Sequence, residues 1–103
     1  MILPDDVNKQ TTLFLDRDGV INVRPIDSYI FSSDEFVFID GVLEAITTFT
    51  SLFSHIIVVT NQQGVGKNLM TLDDVEKVHQ YMLRRIADAG GKIDKVYVAP
   101  HQI

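Results

Sequence analysis

The sequence predicts an α/β fold, an open parallel sheet with helices on both faces. Short apolar runs rich in β-branched residues alternate along the chain with segments whose apolar residues recur at helical spacing. The order is strand, loop, helix, strand, loop, helix, strand, and right-handed crossovers build an open sheet from such an alternation. The chain has 103 residues, of which 46% are hydrophobic, so we expect a single compact domain over 1–103.

The first half of the chain contains one predicted strand and one predicted helix. Residues 1–10 are polar and form a lead-in, and the apolar run at 11–16 is the first strand. Residues 20–38 carry several aromatic side chains and are interpreted as a flap, a loop or small hairpin lying over the strand end, in which these side chains pack. Apolar residues at helical spacing predict a helix over 41–53, with Asp40 as its N-cap.

The second half contains two predicted strands with a helix between them. Four consecutive aliphatic residues within 55–60 predict a strand buried on both faces, as in a parallel sheet. After a loop, Thr71–Asp74 predicts the capping box of a helix that ends at Gly90–Gly91, and the third strand is predicted over 93–99. The residues expected on the buried stripe of this helix are Leu72, Val75, Val78, Met82 and Ile86.

Composition excludes several classes of protein. The formal net charge of −5 argues against a nucleic-acid-binding surface. The chain has no cysteine, which excludes disulfides and thiolate metal sites. Its first residues include neither a basic region nor a long apolar run, and no segment predicts a membrane span. We therefore expect a cytoplasmic protein with no nucleic-acid or membrane partner.

Two carboxylates follow the first predicted strand. Asp16 and Asp18 are two residues apart, so in extended geometry they project together while Arg17 points away. A divalent cation would offset their mutual repulsion, and oxygen ligands suit Mg²⁺. The alternative at this point is a solvated acidic turn, because such turns are common.

Polar residues also end the second predicted strand. Open α/β sheets bind ligands beyond the carboxyl ends of their strands, so Thr60 and Asn61 should lie near the carboxylates. A hydroxyl, an amide and turn N–H groups facing a metal-bearing carboxylate pair suit a phosphate. Thr60 alone would more often satisfy its own backbone, but the combination favours a phosphate site.

Three competing motifs do not fit. A calcium loop starting at Asp16 would have its glycine at the fourth position instead of the sixth. Residues 61–68 lack the first glycine and the final Ser or Thr of a P-loop, and Gly64–Gly66 lacks the last glycine of a dinucleotide fingerprint.

The three histidines are weak signals. His79 is expected on or near the polar side of its helix and therefore solvated, and His55 is expected to be structural. His101 follows the third strand on the functional edge and is the histidine most worth testing.

Two segments resemble motifs of one enzyme superfamily. Phe14–Asn22, FLDRDGVIN, resembles motif I of the haloacid dehalogenase superfamily, and Val58–Gln62, VVTNQ, resembles its motif II. The DRDG-x-IN form, a flap bearing Tyr29, the segment Phe38–Val42 and TNQ-x-G-x-G-K are similar to one subgroup. That subgroup contains heptose-1,7-bisphosphate phosphatases and histidinol-phosphate phosphatases. The resemblance runs over about 13–101 and implies a Rossmann-like fold.

The resemblance implies a Mg²⁺-dependent phosphomonoesterase that forms an aspartyl-phosphate. Asp16 would be the nucleophile, and Asp18 would protonate the leaving oxygen and then activate water. The Asp16 carboxylate and the Asp18 backbone carbonyl would hold Mg²⁺, which neutralises charge on the phosphoryl oxygens. Thr60 and Asn61 would bind the phosphoryl group.

The resemblance also bears on the substrate. Gln62 and Lys67, in the motif II loop, are candidate contacts to it, with a solvated loop lysine as the alternative for Lys67. The expected substrate is a small phosphorylated metabolite, either a sugar phosphate or histidinol phosphate. A polynucleotide 3′-phosphate is the alternative that the acidic composition disfavours.

The sequence departs from the superfamily in its second half. Members have a motif III Lys or Arg and a motif IV acidic group, and the sequence reaches Ile103 before either. We therefore expect a domain truncated after the third strand, or completed by another chain, with little hydrolysis by the chain alone. A catalytically incompetent form that binds Mg²⁺ or phosphate, or serves in assembly, is the alternative.

Two further expectations follow from that comparison. Ala99–His101 stands where the heptose phosphatases often carry a Cys-Pro-His zinc loop, and without cysteine we expect no zinc. Without a fourth strand the first strand becomes a sheet edge, so we expect dimerisation or aggregation through it.

Overall fold

The computed structural model describes residues 11–25 and 28–99. The elements within them are β1 (Thr12–Asp16), a 3₁₀ helix (Ser33–Glu35), α1 (Val42–Leu52), β2 (His55–Asn61), α2 (Gln63–Gly66), α3 (Leu72–Asp88) and β3 (Lys95–Ala99). The predicted lead-in and His101 lie outside the described residues. No helix in the described ranges is long and apolar enough to cross a membrane.

The three strands form a parallel sheet in the order β1-β2-β3. Leu15 pairs with Val58 and Asp16 with Val59, and Val58 pairs on its other side with Val96. The predicted open parallel α/β sheet is thereby confirmed, and the carboxyl ends of all three strands meet at one edge. In the described part of the chain, β1 is an edge strand.

Both long helices pack against the same face of the sheet, so the prediction of helices on both faces is wrong for the described part of the chain. Ile46 of α1 and Val78 of α3 belong to one buried cluster with Val58 of β2. On the opposite face, Phe14 and Val59 are 63% and 41% exposed, so β2 is not buried on both faces as predicted. Two right-handed crossovers that advance in one direction across a sheet put both helices on one side, which is what the order β1-β2-β3 requires.

The first turn of α1 is made by Gly41 and not by the predicted cap, Asp40. Gly41 has φ +82°, and its carbonyl accepts the first helical hydrogen bond from the Ala45 N–H at 3.0 Å. Glycine enters the left-handed region at little cost, whereas a residue with a Cβ is strained there. Asp40 is exposed in the preceding turn.

The capping box at the start of α3 is confirmed. The Thr71 hydroxyl oxygen accepts from the Asp74 N–H at 3.0 Å, and the Asp74 carboxylate accepts from the Thr71 N–H at 2.9 Å. The helix ends as predicted, with Gly90 at φ +96°. All members of the predicted stripe are buried except Leu72, which is 56% exposed at the first position of the helix.

Replacing Thr71 with alanine is expected to lower the free energy of unfolding by about 1 kcal/mol, because the Asp74 N–H loses its acceptor. Urea unfolding measures the change. Thr48→Ala is the matched control, since Thr48 is exposed in α1 and bonds only its own helix, through the Glu44 carbonyl. Its expected change is within about 0.5 kcal/mol. Equal losses in the two variants would contradict the role of the cap.

The segment between β1 and α1 is closed at its base by an isolated antiparallel bridge between Asn22 and Phe38. The Val23 N–H donates to the Val37 carbonyl at 2.8 Å, which ties its two ends together. Phe36 is 4% exposed and packs edge-on against Phe38, with ring centroids 4.9 Å apart. These aromatic side chains therefore pack as expected and hold the flap against the rest of the fold.

Candidate active site

A cleft of about 220 Å³ opens at the carboxyl ends of β1 and β2. Asp16 and Asp18 line it from the end of β1 and the bend that follows, and Thr60 and Asn61 line it from the end of β2. The structure thus brings together the four residues predicted as catalytic and phosphate-binding. The flap contributes the rest of the wall through Arg24, Pro25, Ser28, Tyr29 and Ile30.

One carboxylate oxygen of Asp18 is heavily bonded and the other is not. Oδ1 accepts from Arg17 Nε at 3.1 Å, from Arg17 Nη2 at 2.8 Å and from Asn22 Nδ2 at 3.0 Å. Oδ2 lies 3.4 Å from the side-chain amide of Gln62, which donates no hydrogen bond to it when its oxygen is turned toward Arg17. The side chain of Asp18 is 27% exposed, so its position is fixed through Oδ1 while the group still borders the cleft.

Arg17 lies in the interior, with 1% of its surface exposed. The prediction that Arg17 points away from the two carboxylates is wrong for its guanidinium, which pairs with Asp18. It also lies 5.8 Å from the ring centroid of Phe36 in the flap.

His79 is buried, which contradicts the prediction that it is solvated. It is 3% exposed, and its Nε2 lies 3.1 Å from Arg17 Nη1. A guanidinium can only donate, so Nε2 accepts and the imidazole is neutral, with its proton on Nδ1. Burial, followed by the positive charge of Arg17, lowers the pKa of His79 to about 4, and the Asp18 carboxylate opposes this shift.

The buried imidazole is expected to make stability depend on pH between about 6.5 and 4. In that window an unfolded chain, with an ordinary histidine pKa of 6.5, takes up a proton that the folded chain does not. The free energy of unfolding should therefore fall with decreasing pH, by up to about 3 kcal/mol from this group. Urea unfolding at several pH values measures the slope.

Comparison with a variant that lacks the imidazole separates the contribution of His79 to the pH dependence from the contribution of the carboxylates. His79→Gln is expected to flatten the slope in this window, because the glutamine side chain takes up no proton. A slope in His79→Gln equal to that of the unmodified chain would show that His79 does not resist protonation.

Gln62 connects the end of β2 to Arg17. With its amide oxygen turned toward Arg17, it accepts from the Thr60 hydroxyl at 2.7 Å and from the two Arg17 amino groups at 3.2 and 3.3 Å. Gln62 is 2% exposed and borders the cleft, where it was predicted to contact substrate. In this orientation the Thr60 hydroxyl proton is directed at Gln62, so the hydroxyl must rotate to donate to a ligand.

Two buried acceptors near the carboxylates have no hydrogen-bond partner among the described residues. They are the Oδ1 atoms of Asn22 and Asn61. Unpaired buried acceptors are costly, so a hydrogen-bond donor or a cation in the cleft would stabilise Asn61, which lines it.

The donor set fits Mg²⁺. The described residues contain no cluster of three or more His, Asp or Glu side chains that could hold a metal by themselves. Mg²⁺ does not need such a cluster, because it is commonly held by one or two carboxylates with water and substrate phosphate completing its shell. Asp16 would supply a carboxylate and Asp18 its backbone carbonyl, and Asn61 brings an unpaired oxygen to the same cleft.

Two cationic side chains stand near the flap. Arg24 lines the cleft and was not identified as a site residue, because a single arginine in an irregular segment forms no motif. Lys67 does not line the cleft; its Nζ lies 6.0 Å from the ring centroid of Tyr29, which does.

Relatives of known name match most of this chain. D-glycero-alpha-D-manno-heptose-1,7-bisphosphate 7-phosphatase from Mycobacterium tuberculosis is 40% identical over 92 residues, which cover 89% of this chain and 48% of that protein. The enzyme of the same name from Burkholderia mallei is 42% identical over 92 residues, with the same shares. A scan against protein-family models gives no match.

A solved structure of the same kind superposes on this fold. The crystal structure of D,D-heptose 1,7-bisphosphate phosphatase from B. bronchiseptica, complexed with magnesium and phosphate, gives a TM-score of 0.84 at 32% identity. The match covers 90% of this chain and 51% of that chain.

The sequence matches and the superposition point to one class of fold, that of the haloacid dehalogenase-like phosphatases. As the motifs predict, the chain is similar in both sequence and fold to the heptose-bisphosphate phosphatase subgroup of the haloacid dehalogenase superfamily. It spans about half the length of the curated relatives it matches.

Proposed function

We propose that this chain carries the nucleophile, the acid-base group and the phosphate-binding residues of a Mg²⁺-dependent phosphatase that acts on a small phosphorylated sugar in the cytoplasm. One observation carries the proposal: the carboxylates after β1 and the polar side chains at the end of β2 line a single cleft. The names of the relatives favour a heptose bisphosphate over histidinol phosphate as the substrate.

In the first proposed step, an oxygen of the Asp16 carboxylate attacks the phosphorus of the ester. The phosphorus–oxygen bond to the sugar breaks, and the leaving oxygen takes a proton from Asp18. The products are the free sugar hydroxyl and an aspartyl-phosphate on Asp16. Asp16 is suited to this role because it is exposed at the end of β1 and faces the cleft.

In the second step, Asp18 takes a proton from a water molecule whose oxygen attacks the aspartyl-phosphate. Inorganic phosphate leaves, and the Asp16 carboxylate and protonated Asp18 are restored. Oδ2 is the oxygen of Asp18 suited to both transfers, because Oδ1 already accepts three N–H groups.

Other residues would hold the substrate. Thr60 and Asn61 bind the phosphoryl oxygens, and Gln62 and Lys67 contact the sugar beyond the cleft. Bound Mg²⁺ supplies charge neutralisation for the phosphoryl oxygens. The described residues that would hold it are Asp16, through its carboxylate, and Asp18, through its backbone carbonyl.

The test is the release of inorganic phosphate from a panel of monoesters, with Mg²⁺ present and after its removal by EDTA. It uses the 103-residue chain and, where the reading frame continues, its full product. Hydrolysis that requires Mg²⁺ and is fastest with sugar bisphosphates is expected of the full product, and little hydrolysis is expected of the 103-residue chain alone. Preference for a polynucleotide 3′-phosphate, or turnover unaffected by EDTA, would contradict the proposal.

We also propose that β1 pairs with a strand from a second copy of the chain. In the described ranges β1 has a strand neighbour on one side only, and Phe14 beside that edge is 63% exposed. Sedimentation should show association that increases with protein concentration. Phe14→Lys is expected to reduce it, and a monomer at all concentrations would refute it.

A further inference from the structure

Arg17 is a buried hub that joins three separate segments of the chain. Its guanidinium bonds Asp18 after β1, Gln62 after β2 and His79 in α3. A buried guanidinium needs an acceptor for each of its edges, and these three side chains provide them. None of the roles proposed above for the cleft uses Arg17 or His79.

His79 is the contribution of α3 to this hub. Its Nε2 accepts from Nη1, the amino group that makes no bond to Asp18. With Nη1 bonded to His79, the other edge of the guanidinium faces Asp18. Its Nε and Nη2 atoms donate in parallel to one carboxylate oxygen at 3.1 and 2.8 Å, and we call this pair of donors the fork. A fork held at both ends cannot rotate without breaking a charge-assisted hydrogen bond.

The same arrangement gives the two carboxylate oxygens of Asp18 different hydrogen-bond partners. Oδ1 is held by Arg17 and Asn22, whereas Oδ2, 3.4 Å from the amide oxygen of Gln62, accepts no hydrogen bond from the described side chains. A different guanidinium orientation would remove two of the three N–H groups that hold Oδ1 and leave the carboxylate attached through Asn22. The orientation of the Asp18 carboxylate therefore depends on the acceptor that α3 supplies.

We propose that His79 is a positioning residue, which orients Arg17 so that Asp18 presents Oδ2 to the cleft. This inference rests on the proposed function in one respect, the use of Asp18 as acid and base. The alternative is that His79 only fills space in the core beside Val78 and Met82. A positioning role requires a hydrogen-bond acceptor at position 79, whereas a packing role requires only a side chain of similar volume.

Two substitutions separate these possibilities. His79→Leu keeps the bulk of the side chain but removes the hydrogen-bond acceptor. His79→Gln keeps an acceptor within reach of Arg17. In the phosphatase assay we expect His79→Leu to lower kcat about 10-fold with KM little changed, since misorientation of a reacting group affects the chemical step. His79→Gln should restore kcat to within about threefold, because an acceptor again orients the guanidinium. Equal kcat values in the two variants would overturn the proposal.

A second measurement does not depend on turnover. In ¹⁵N NMR spectra, the Arg17 Nε–H should exchange slowly with water. Its chemical shift should also be moved by the hydrogen bond to its carboxylate partner. We expect faster exchange and a changed shift in His79→Leu, and the unmodified pattern in His79→Gln. An Arg17 signal identical in all three proteins would refute the positioning role even if all of them hydrolyse phosphate esters.

The two readouts also separate failure of this inference from failure of the proposed function. An unmodified full product that hydrolyses no ester contradicts the proposed function, while the NMR comparison still tests the hub. If His79→Leu does not fold, His79→Asn takes its place, because its shorter amide cannot reach Arg17 in the same way. It should then show the same faster exchange of the Arg17 N–H.

Discussion

Replacing Asp16 with asparagine is expected to reduce phosphate ester hydrolysis by at least about 10³-fold. The amide has the shape of the carboxylate but is a far weaker nucleophile, so no aspartyl-phosphate forms. The loss should appear in kcat, with phosphate binding retained. The assay is phosphate release under saturating substrate and Mg²⁺.

Two controls make this result specific. Asp88→Asn changes an exposed carboxylate at the end of α3, far along the chain from the cleft residues, and should leave hydrolysis unchanged. Asp16 is exposed, so Asp16→Asn should also leave the free energy of unfolding within about 0.5 kcal/mol of the unmodified chain. Hydrolysis that survives this substitution would exclude Asp16 as the nucleophile.

The gathering of residues around the cleft could be predicted from general rules of sheet geometry. The two-residue spacing of Asp16 and Asp18 places both on one side of an extended chain. Parallel strands bring their carboxyl ends to one edge, which adds Thr60 and Asn61. These rules depend only on local spacing and strand direction, and the structure agrees with them.

The buried hub was missed although the sequence contains signals for it. His79 follows Val75 by four residues and precedes Ile86 by seven, so it falls on the apolar face of α3. Arg17 continues the alternation of Leu13 and Leu15 and should therefore enter the interior. The polarity of each residue argues for solvent, whereas its position argues for the core. Burial of both residues is favourable only because each satisfies the hydrogen bonding of the other.

Other features could not be obtained from the sequence at all. The placement of both helices on one face depends on the strand order β1-β2-β3, and the succession of elements along a chain does not fix which strands are neighbours. The start of α1 at Gly41 depends on a backbone angle of +82°, which competes with a plausible side-chain cap at Asp40. In both cases a tertiary or backbone preference outweighs the local pattern.

Replacing Arg17 with methionine is expected to lower the free energy of unfolding by about 3 kcal/mol, a larger loss than removal of the α3 cap at Thr71 should cause. Methionine fills much of the space but removes every donor, leaving His79 and Gln62 buried without their partner. Breaking a buried ion pair costs about 3–5 kcal/mol, and the lower end applies because Asp18 is partly exposed and can be hydrated. Urea unfolding measures the difference.

Arg84→Met provides the matched control, since Arg84 is exposed on α3 and the same substitution there should change stability by no more than about 0.5 kcal/mol. Arg17→Lys tests the geometry of the hub separately from its charge. A lysine retains one positive charge but cannot hold Asp18 with two parallel N–H groups while reaching His79. It should therefore recover only part of the loss. Full recovery by lysine would mean that charge alone stabilises Asp18. The two parallel hydrogen bonds of the guanidinium would then contribute nothing to the free energy of unfolding.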